Sequence, residues 1–379
     1  MGPSFAPRIY RLMAGLWPEI SHKANDMKLT SLLFGAASGA LLLAAAAGAN
    51  AQSWADSTTV SGRIYADFSN ITSKVDGVTS NSTATSGIPA ANGTGFDVKR
   101  FYVGIDHKFT DVWSMNVTTD FQYSSAISAT EVYIKKAYIQ GTFSPAFIVR
   151  AGSADLPWIP YAEDIYGSRY LEKTVSDRTG FGTSADWGLH VLGKLNDNFS
   201  YQVSAINGNG YKNPTRAKSM DIEGRLSAKF DQLNFAIGGY TGRLGQAAPG
   251  VATPQKASRF NALAAFTGDR LRAGVEYFSA NDFSGTLVKS TTPDKADGTS
   301  VFGSFRITPE YSIFARADTA KLSKLLNAAK KDDYYNLGVE WNAFKGVNFS
   351  AIVKHDSLTP SAGHKVEANE VGVYSQFRF

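Results

Sequence analysis

From about residue 59 to the end of the chain, apolar and polar side chains alternate with a period of two, and this pattern constrains the fold more than any other feature. In Trp113-Ser114-Met115-Asn116-Val117-Thr118-Thr119-Asp120-Phe121-Gln122-Tyr123, odd positions are mostly large and apolar and even positions are polar. Ile222, Gly224, Leu226, Ala228 and Phe230 alternate in the same way with Asp221, Glu223, Arg225, Ser227 and Lys229. Val371, Val373, Ser375, Phe377 and Phe379 alternate with Glu370, Gly372, Tyr374, Gln376 and Arg378. Successive side chains of a strand point to opposite faces, so each segment has one greasy and one wet face. The pattern predicts sixteen strands, near 59–69, 97–109, 112–123, 131–142, 146–152, 185–195, 199–208, 219–230, 233–242, 258–266, 270–279, 299–307, 311–318, 333–341, 347–355 and 367–379. Only the fourth, Glu131–Thr142, lacks a clear apolar face.

The connections alternate too. Short turns fall at Thr110-Asp111, Asn196-Asp197-Asn198, Asp231-Gln232, Thr267-Gly268-Asp269 and Thr308-Pro309-Glu310, with long polar loops such as 70–96, 243–257 and 280–298 between them. An even number of strands with short turns on one side and long loops on the other fits an all-β fold: a transmembrane antiparallel β-barrel of about sixteen strands. Closure follows from the solvent, because lipid cannot satisfy a sheet edge. Packed soluble sheets would also alternate, but three features favour the membrane. Aromatics (Phe109, Trp113, Phe199, Phe230, Trp341 and Phe349) cluster beside the short turns, as an interfacial girdle requires. The wet faces carry charges of both signs, which suits a watery lumen and not a packed core. The last strand ends at Phe379, like the assembly signal that barrel-assembly machinery reads in bacterial outer-membrane barrels.

The segment before the strands is of another kind. Met27-Lys28 precedes an apolar run from Leu32 to Gly48 that ends in Ala49-Asn50-Ala51. A short basic start, a short apolar core and small residues at a cleavage site define a secretory signal peptide. Residues 27–51 are therefore expected to be removed, 1–26 to be an upstream extension or a misassigned start, and 52–379 to be the mature barrel. Export, absence of cysteine and abundant glycine (35 residues) together suggest a Gram-negative cell envelope.

The composition excludes several chemistries. With no cysteine, there is no disulfide framework and no thiolate site. The five histidines, His22, His107, His190, His355 and His364, are too scattered for a local zinc motif, and no metal or cofactor is expected. A net charge of +5 spread along 379 residues gives no basic face for nucleic acid.

Several stretches resemble the phosphate-selective porin O and P family of Gram-negative outer membranes. They are Val98-Lys99-Arg100-Phe101-Tyr102-Val103-Gly104, Ile134-Lys135-Lys136-Ala137-Tyr138-Ile139, Val149-Arg150-Ala151-Gly152 followed by Leu156-Pro157-Trp158, Tyr170-Leu171-Glu172-Lys173, and Ala205-Ile206-Asn207-Gly208-Asn209-Gly210. The resemblance is clearest over 97–230. It implies a sixteen-stranded, trimeric porin whose third long loop folds into the pore. The family's conspicuous rows of Arg and Lys at the constriction are missing here, which weighs against specific phosphate uptake.

A porin works by offering a sized, charged aqueous path. The wet faces predict pore-lining Arg63, Arg100, Arg150, Arg225, Arg272, Arg306, Arg316 and Arg378, with Asp120 and Glu223 among the acids. Basic residues outnumber acidic ones there, so passive diffusion of small hydrophilic solutes with a weak anion preference is expected. The third long loop, residues 153–184, would add Asp155, Glu163, Asp164, Arg169, Glu172 and Lys173 at a constriction, and its Trp158, Tyr161, Tyr166 and Tyr170 would suit a greasy slide for sugars. The alternatives are a sugar-selective channel, a non-conducting barrel, or a barrel hydrolase built on His190 or His355. His190 lies close enough to Asp186 in sequence to pair with it.

Overall fold

The computed structural model describes residues 54–80, 92–124 and 129–379, so the expected upstream extension and signal peptide lie outside the described residues. Thr58–Phe379 forms one compact unit. The strands are β1 (Thr58–Val75), β2 (Val78–Thr79), β3 (Gly93–Lys108), β4 (Trp113–Ser124), β5 (Ala129–Ser144), β6 (Phe147–Asp155), β7 (Ala185–Lys194), β8 (Phe199–Ile206), β9 (Asp221–Phe230), β10 (Leu233–Gly242), β11 (Ala257–Thr267), β12 (Leu271–Asn281), β13 (Lys295–Arg306), β14 (Tyr311–Lys321), β15 (Lys331–Phe344), β16 (Val347–Ser361) and β17 (His364–Arg378). β2 is a two-residue return against the end of β1. The other sixteen pair antiparallel with their neighbours, and β1 pairs with both β3 and β17, so the sheet closes. Each of the sixteen coincides with a strand read from the alternation.

Closure is sealed at the C-terminus. The Gly62 amide donates to the Phe379 carbonyl at 3.0 Å, and the Phe379 amide returns a bond to Gly62 at 3.1 Å. The Phe379 ring lies so close over Gly62 that a β-carbon there would sit 2.0 Å from it. A larger residue at this position would have to displace the terminal ring.

The barrel is greasy outside and polar within. On β10, Leu233, Phe235 and Ile237 are exposed on the outer face while Asn234, Ala236 and Tyr240 are buried on the inner one. The expected girdle is present beside the short turns, where Trp113 meets Phe143, Phe199 meets Phe230, and Trp341 stacks on Phe349.

The strands differ from the sequence reading in two ways. The hairpin β16–β17 continues well past 355–367 and turns at Gly363, whose φ of +79° suits glycine. The missing apolar face of the fourth predicted strand has a cause in a β-bulge. β5 pairs Lys136 with Thr118 but Ile134 with Thr119, leaving Lys135 as the extra residue. The bulge reverses the parity. Val132 and Ile134 face out before it, Ile139 and Phe143 face out after it, and Lys135 and Lys136 both point inward. A second bulge does the same on β3, where Tyr65 pairs with Arg100 and Ala66 with Val98, so Lys99 and Arg100 are both inward.

Candidate functional site

The site is the space between one wall of the barrel and the long loop that joins β6 to β7. Residues 156–184 fold into the lumen around two short helices, α1 (Ile159–Tyr166) and α2 (Val175–Arg178). The loop opens with Trp158, which is fully buried. Its amide donates to Glu223 at 3.1 Å and its indole N–H to Glu276 at 2.9 Å. α1 then lays Ile159, Ala162 and Tyr166 on Ala236, Leu263, Ala265 and Phe302. Beyond Gly167, Tyr170 and Leu171 pack with Tyr65, Phe314, Ile352 and Tyr374. The Tyr170 hydroxyl donates to Glu340, and the Lys354 ammonium donates to the Leu171 carbonyl at 2.8 Å. α2 ends the crossing: Ser176 donates to Glu276, and Arg178 bonds to Asp318, Asp332 and Asp356 on three successive strands. The loop therefore lies against the inner wall from β9 through β17 to β1, held by two apolar patches along its first part and by buried ion pairs at its α2 end.

This packing corrects two expectations. Trp158, Tyr166 and Tyr170 are buried against the wall, so they offer no aromatic track to a passing sugar. Several residues read as pore-lining do lie on the inner face but are roofed by the loop. Arg225 donates to the Pro157 carbonyl, Arg272 to the carbonyls of Asp164 and Ile165, and Arg316 to the Lys173 carbonyl, while Glu223 receives the Trp158 amide. Strand parity gives the direction of a side chain and not what lies over it.

Opposite the loop remains a polar cavity of about 190 Å³. Arg100 and Lys135 line it from β3 and β5, Arg169, Lys173 and Asp177 from the loop, and Tyr211 and Lys212 from the β8–β9 connection. The carboxylates around it are mostly neutralised. Asp120 is fully buried, holds Arg100 at 3.0 Å and accepts from the Tyr211 hydroxyl. Asp155 pairs with Lys136, Glu163 with Arg169, and Glu172 with Lys354. Burial pushes the carboxyls of Glu163 and Asp164 up. Burial acts on Glu172 in the same direction, but Lys354, Arg178 and the Lys173 amide together bring it down to about 2. The cations are held differently. The Lys135 ammonium lies 4.7 Å from the centre of the Tyr102 ring, and Lys212 lies 4.6 Å from that of Tyr133. Among the described residues, Lys135 and Lys173 take part in no ion pair with a carboxylate. Ring faces hold an ammonium in place without cancelling its charge, so the gap keeps a net positive field.

The remaining predicted residues are spread along the inner face. Arg63 donates to the Tyr65 hydroxyl, Arg150 to Gln140, and Arg378 to Asn348. Arg306 joins Arg270 and Arg272 around a second polar cavity of about 160 Å³ near the short turns. Lys135, Lys212 and the Tyr102–Tyr133–Tyr211 group went unread in the sequence. Lys135 was hidden by its bulge, and Lys212 sits in a loop where alternation says nothing. His190 meets the Asp186 backbone rather than its carboxylate. Its ring bonds to Ser204 and to the Gly152 carbonyl, while Asp186 accepts the amides of Trp187, Gly208 and Gly210. Both His190 and Ser204 are fully buried.

No family model matches the chain, and no curated protein matches it in sequence. Solved structures do match in fold. The outer-membrane channel DcaP of Acinetobacter baumannii aligns with a TM-score of 0.63 at 12% identity, over 85% of this chain and 97% of that one. An anion-selective porin from Comamonas acidovorans aligns at 0.58 and 12% identity, over 85% and 99%. OprB of Pseudomonas putida aligns at 0.58 and 10% identity, over 86% and 95%. The shared fold is the closed, sixteen-stranded antiparallel barrel of outer-membrane porins.

Proposed function

We propose that residues 52–379 form a porin of the Gram-negative outer membrane, exported by the signal peptide at 27–51, which lets small hydrophilic solutes diffuse passively and weakly prefers anions. One observation carries this reading: the inward loop is fixed to the barrel wall, and on the lining of the gap it leaves Lys135, Lys173 and Lys212 outnumber the one lining acid, Asp177, while Asp120, Asp155, Glu163 and Glu172 around it are paired. At physiological salt a charge acts over about 8 Å, so the charges at the narrowest point dominate selectivity. Arg63, Arg150, Arg306 and Arg378 then serve as solvated lumen wall, with Arg100 and Arg169 framing the gap. Phosphate passes as one anion among others, since the rows of Arg and Lys that mark a phosphate-selective constriction are missing from the sequence. The porins of like fold support a channel, and the aromatic girdle supports contact with outer-membrane lipid. Assembly as a homotrimer and delivery through the barrel-assembly machinery by way of Phe379 complete the proposal.

Bilayer electrophysiology tests it. Lys135→Glu combined with Lys173→Glu should move the reversal potential in a KCl gradient to the cation side with little change in the folded barrel. An unchanged potential would show that the solute path runs elsewhere. Block of chloride current by low phosphate would replace the general channel with a phosphate-specific one.

A further inference from the structure

A further cavity opens at the long-loop end of the lumen, beside the gap. It measures about 310 Å³, room for one small molecule. The end of the inward loop, the β8–β9 connection and the loops β10–β11 and β12–β13 enclose it together with inner-face residues of β9, β10 and β11. Thr183, Asn209 and Gly210 line both this cavity and the gap. The two spaces therefore share a wall, and a molecule held in one sits next to the other.

The chemistry of this cavity differs from that of the gap. Its charged lining residues are Asp186, Glu223 and Arg259, and all three are matched within the protein. Asp186 accepts three backbone amides, while Glu223 accepts the Trp158 amide and holds Arg259 at 3.0 Å. Acids outnumber the base, so an anion gains nothing here. A cation finds its place taken. The Arg259 guanidinium already lies 5.7 Å from the centre of the Tyr240 ring and 5.4 Å from that of Phe283. What remains free is neutral and polar. The Asn209 side chain donates to Thr215 and that of Gln246 to the Leu244 carbonyl, which leaves both side-chain oxygens as acceptors. Among the described residues, these two oxygens and the Thr183 hydroxyl have no hydrogen-bond partner. The Ser284 hydroxyl accepts the Leu287 amide and keeps its own proton to donate. The Tyr240 and Phe283 rings, edge to face at 5.1 Å, supply an apolar side.

We propose that this cavity binds a neutral, polyhydroxylated solute the size of a monosaccharide. A sugar hydroxyl both donates and accepts, which matches a wall of free amide oxygens and hydroxyls, and the C–H faces of the ring match the two aromatic side chains. An apolar ligand would leave the same acceptors without partners, which disfavours it. The site is a pocket beside the solute path and not a track along it. The inference rests on the channel reading above for access to the pocket, and it is independent of the anion preference.

The test uses the refolded barrel with glucose as the probe. Isothermal titration in detergent gives the affinity, and chloride current in a planar bilayer reads partial block. Wild-type protein should bind glucose saturably, and the block should follow the same concentration dependence. Gln246→Leu keeps the shape of the side chain and removes its acceptor, and should weaken binding about fivefold or more. Gly285→Trp should abolish binding by filling the cavity. Gly285 has an ordinary backbone conformation, and the nearest neighbours of a β-carbon there are atoms of the flexible Gln246 side chain, from 3.3 Å outward. Neither residue lines the gap, so both variants should keep the wild-type reversal potential, which also certifies their fold. Wild-type glucose affinity in both variants would overturn the proposal. So would tighter binding of gluconate than of glucose, which would make the cavity an anion site. A fall in current that never saturates and is matched by polyethylene glycol of equal mass would show exclusion by size alone, and would overturn it too. A barrel that binds glucose with these variant effects yet carries no current would uphold the pocket and sink the channel reading. One that conducts yet shows no saturable glucose binding would sink this inference alone.

Discussion

The gap owes its sign to a few side chains whose partners differ in kind. Arg100 and Arg169 are matched by Asp120 and Glu163, so they contribute shape more than charge. Lys135 lies over the Tyr102 ring with no carboxylate ion pair, and Lys212 lies over the Tyr133 ring. Lys212 adds a pH signature. Partial burial, with the Arg100 charge beside it, lowers its ammonium to about 8. A lowered lysine is charged below its pKa and neutral above it, so anion preference should fall as pH rises through about 8. Reversal potentials measured from pH 7 to pH 9 should show the fall, and Lys212→Arg should abolish it. Tyr102 is the support for Lys135, and Tyr102→Leu should weaken anion preference without reversing it, read in the same bilayer experiment. These residues show where a sequence reading stops. Arg100 was legible as a wet-face residue because its strand alternates cleanly after the bulge. Lys135 was not, because one inserted residue reverses the faces of β5.

At the level of elements, the inward loop behaves as a third layer packed on half of the barrel wall. Its presence could be read from its length and from the aromatic residues between its charges. Its inward direction was expected only from the family resemblance, and its seat on the wall could not be read, because the contacts that fix it join residues more than a hundred positions apart, such as Trp158 with Glu276 and Arg178 with Asp356. Arg178 is the strongest of these ties, buried among Asp318, Asp332 and Asp356 with Arg316 nearby. Removing one member of a buried charge cluster leaves the others uncompensated and costs about 3–5 kcal/mol. Arg178→Ala should therefore loosen the loop, raise single-channel conductance and expose the segment around α2 to protease, while the barrel itself stays folded. Conductance and proteolysis like those of wild type would place the anchor elsewhere, at Trp158 or Tyr170. The strands themselves were legible almost throughout, since a closed barrel with an apolar outer face and a polar inner one alternates strictly wherever no bulge intervenes.

For the whole molecule, closure removes every sheet edge, which a membrane requires, and leaves an aqueous interior that one loop divides unequally. The covered half holds buried ion pairs that stabilise the loop, and on the proposed reading the open half holds the cations that would meet a solute. Such a division would let a chain of nearly balanced net charge, 38 basic against 33 acidic residues, discriminate between ions. What matters is which charges are paired under the loop. The most direct measurement is the zero-current potential of the refolded mature protein in a planar bilayer under a KCl gradient. Stable open channels with a modest potential on the anion side, insensitive to low phosphate, are expected. A potential on the cation side, or a folded barrel that carries no current, would contradict an anion-preferring channel through the gap.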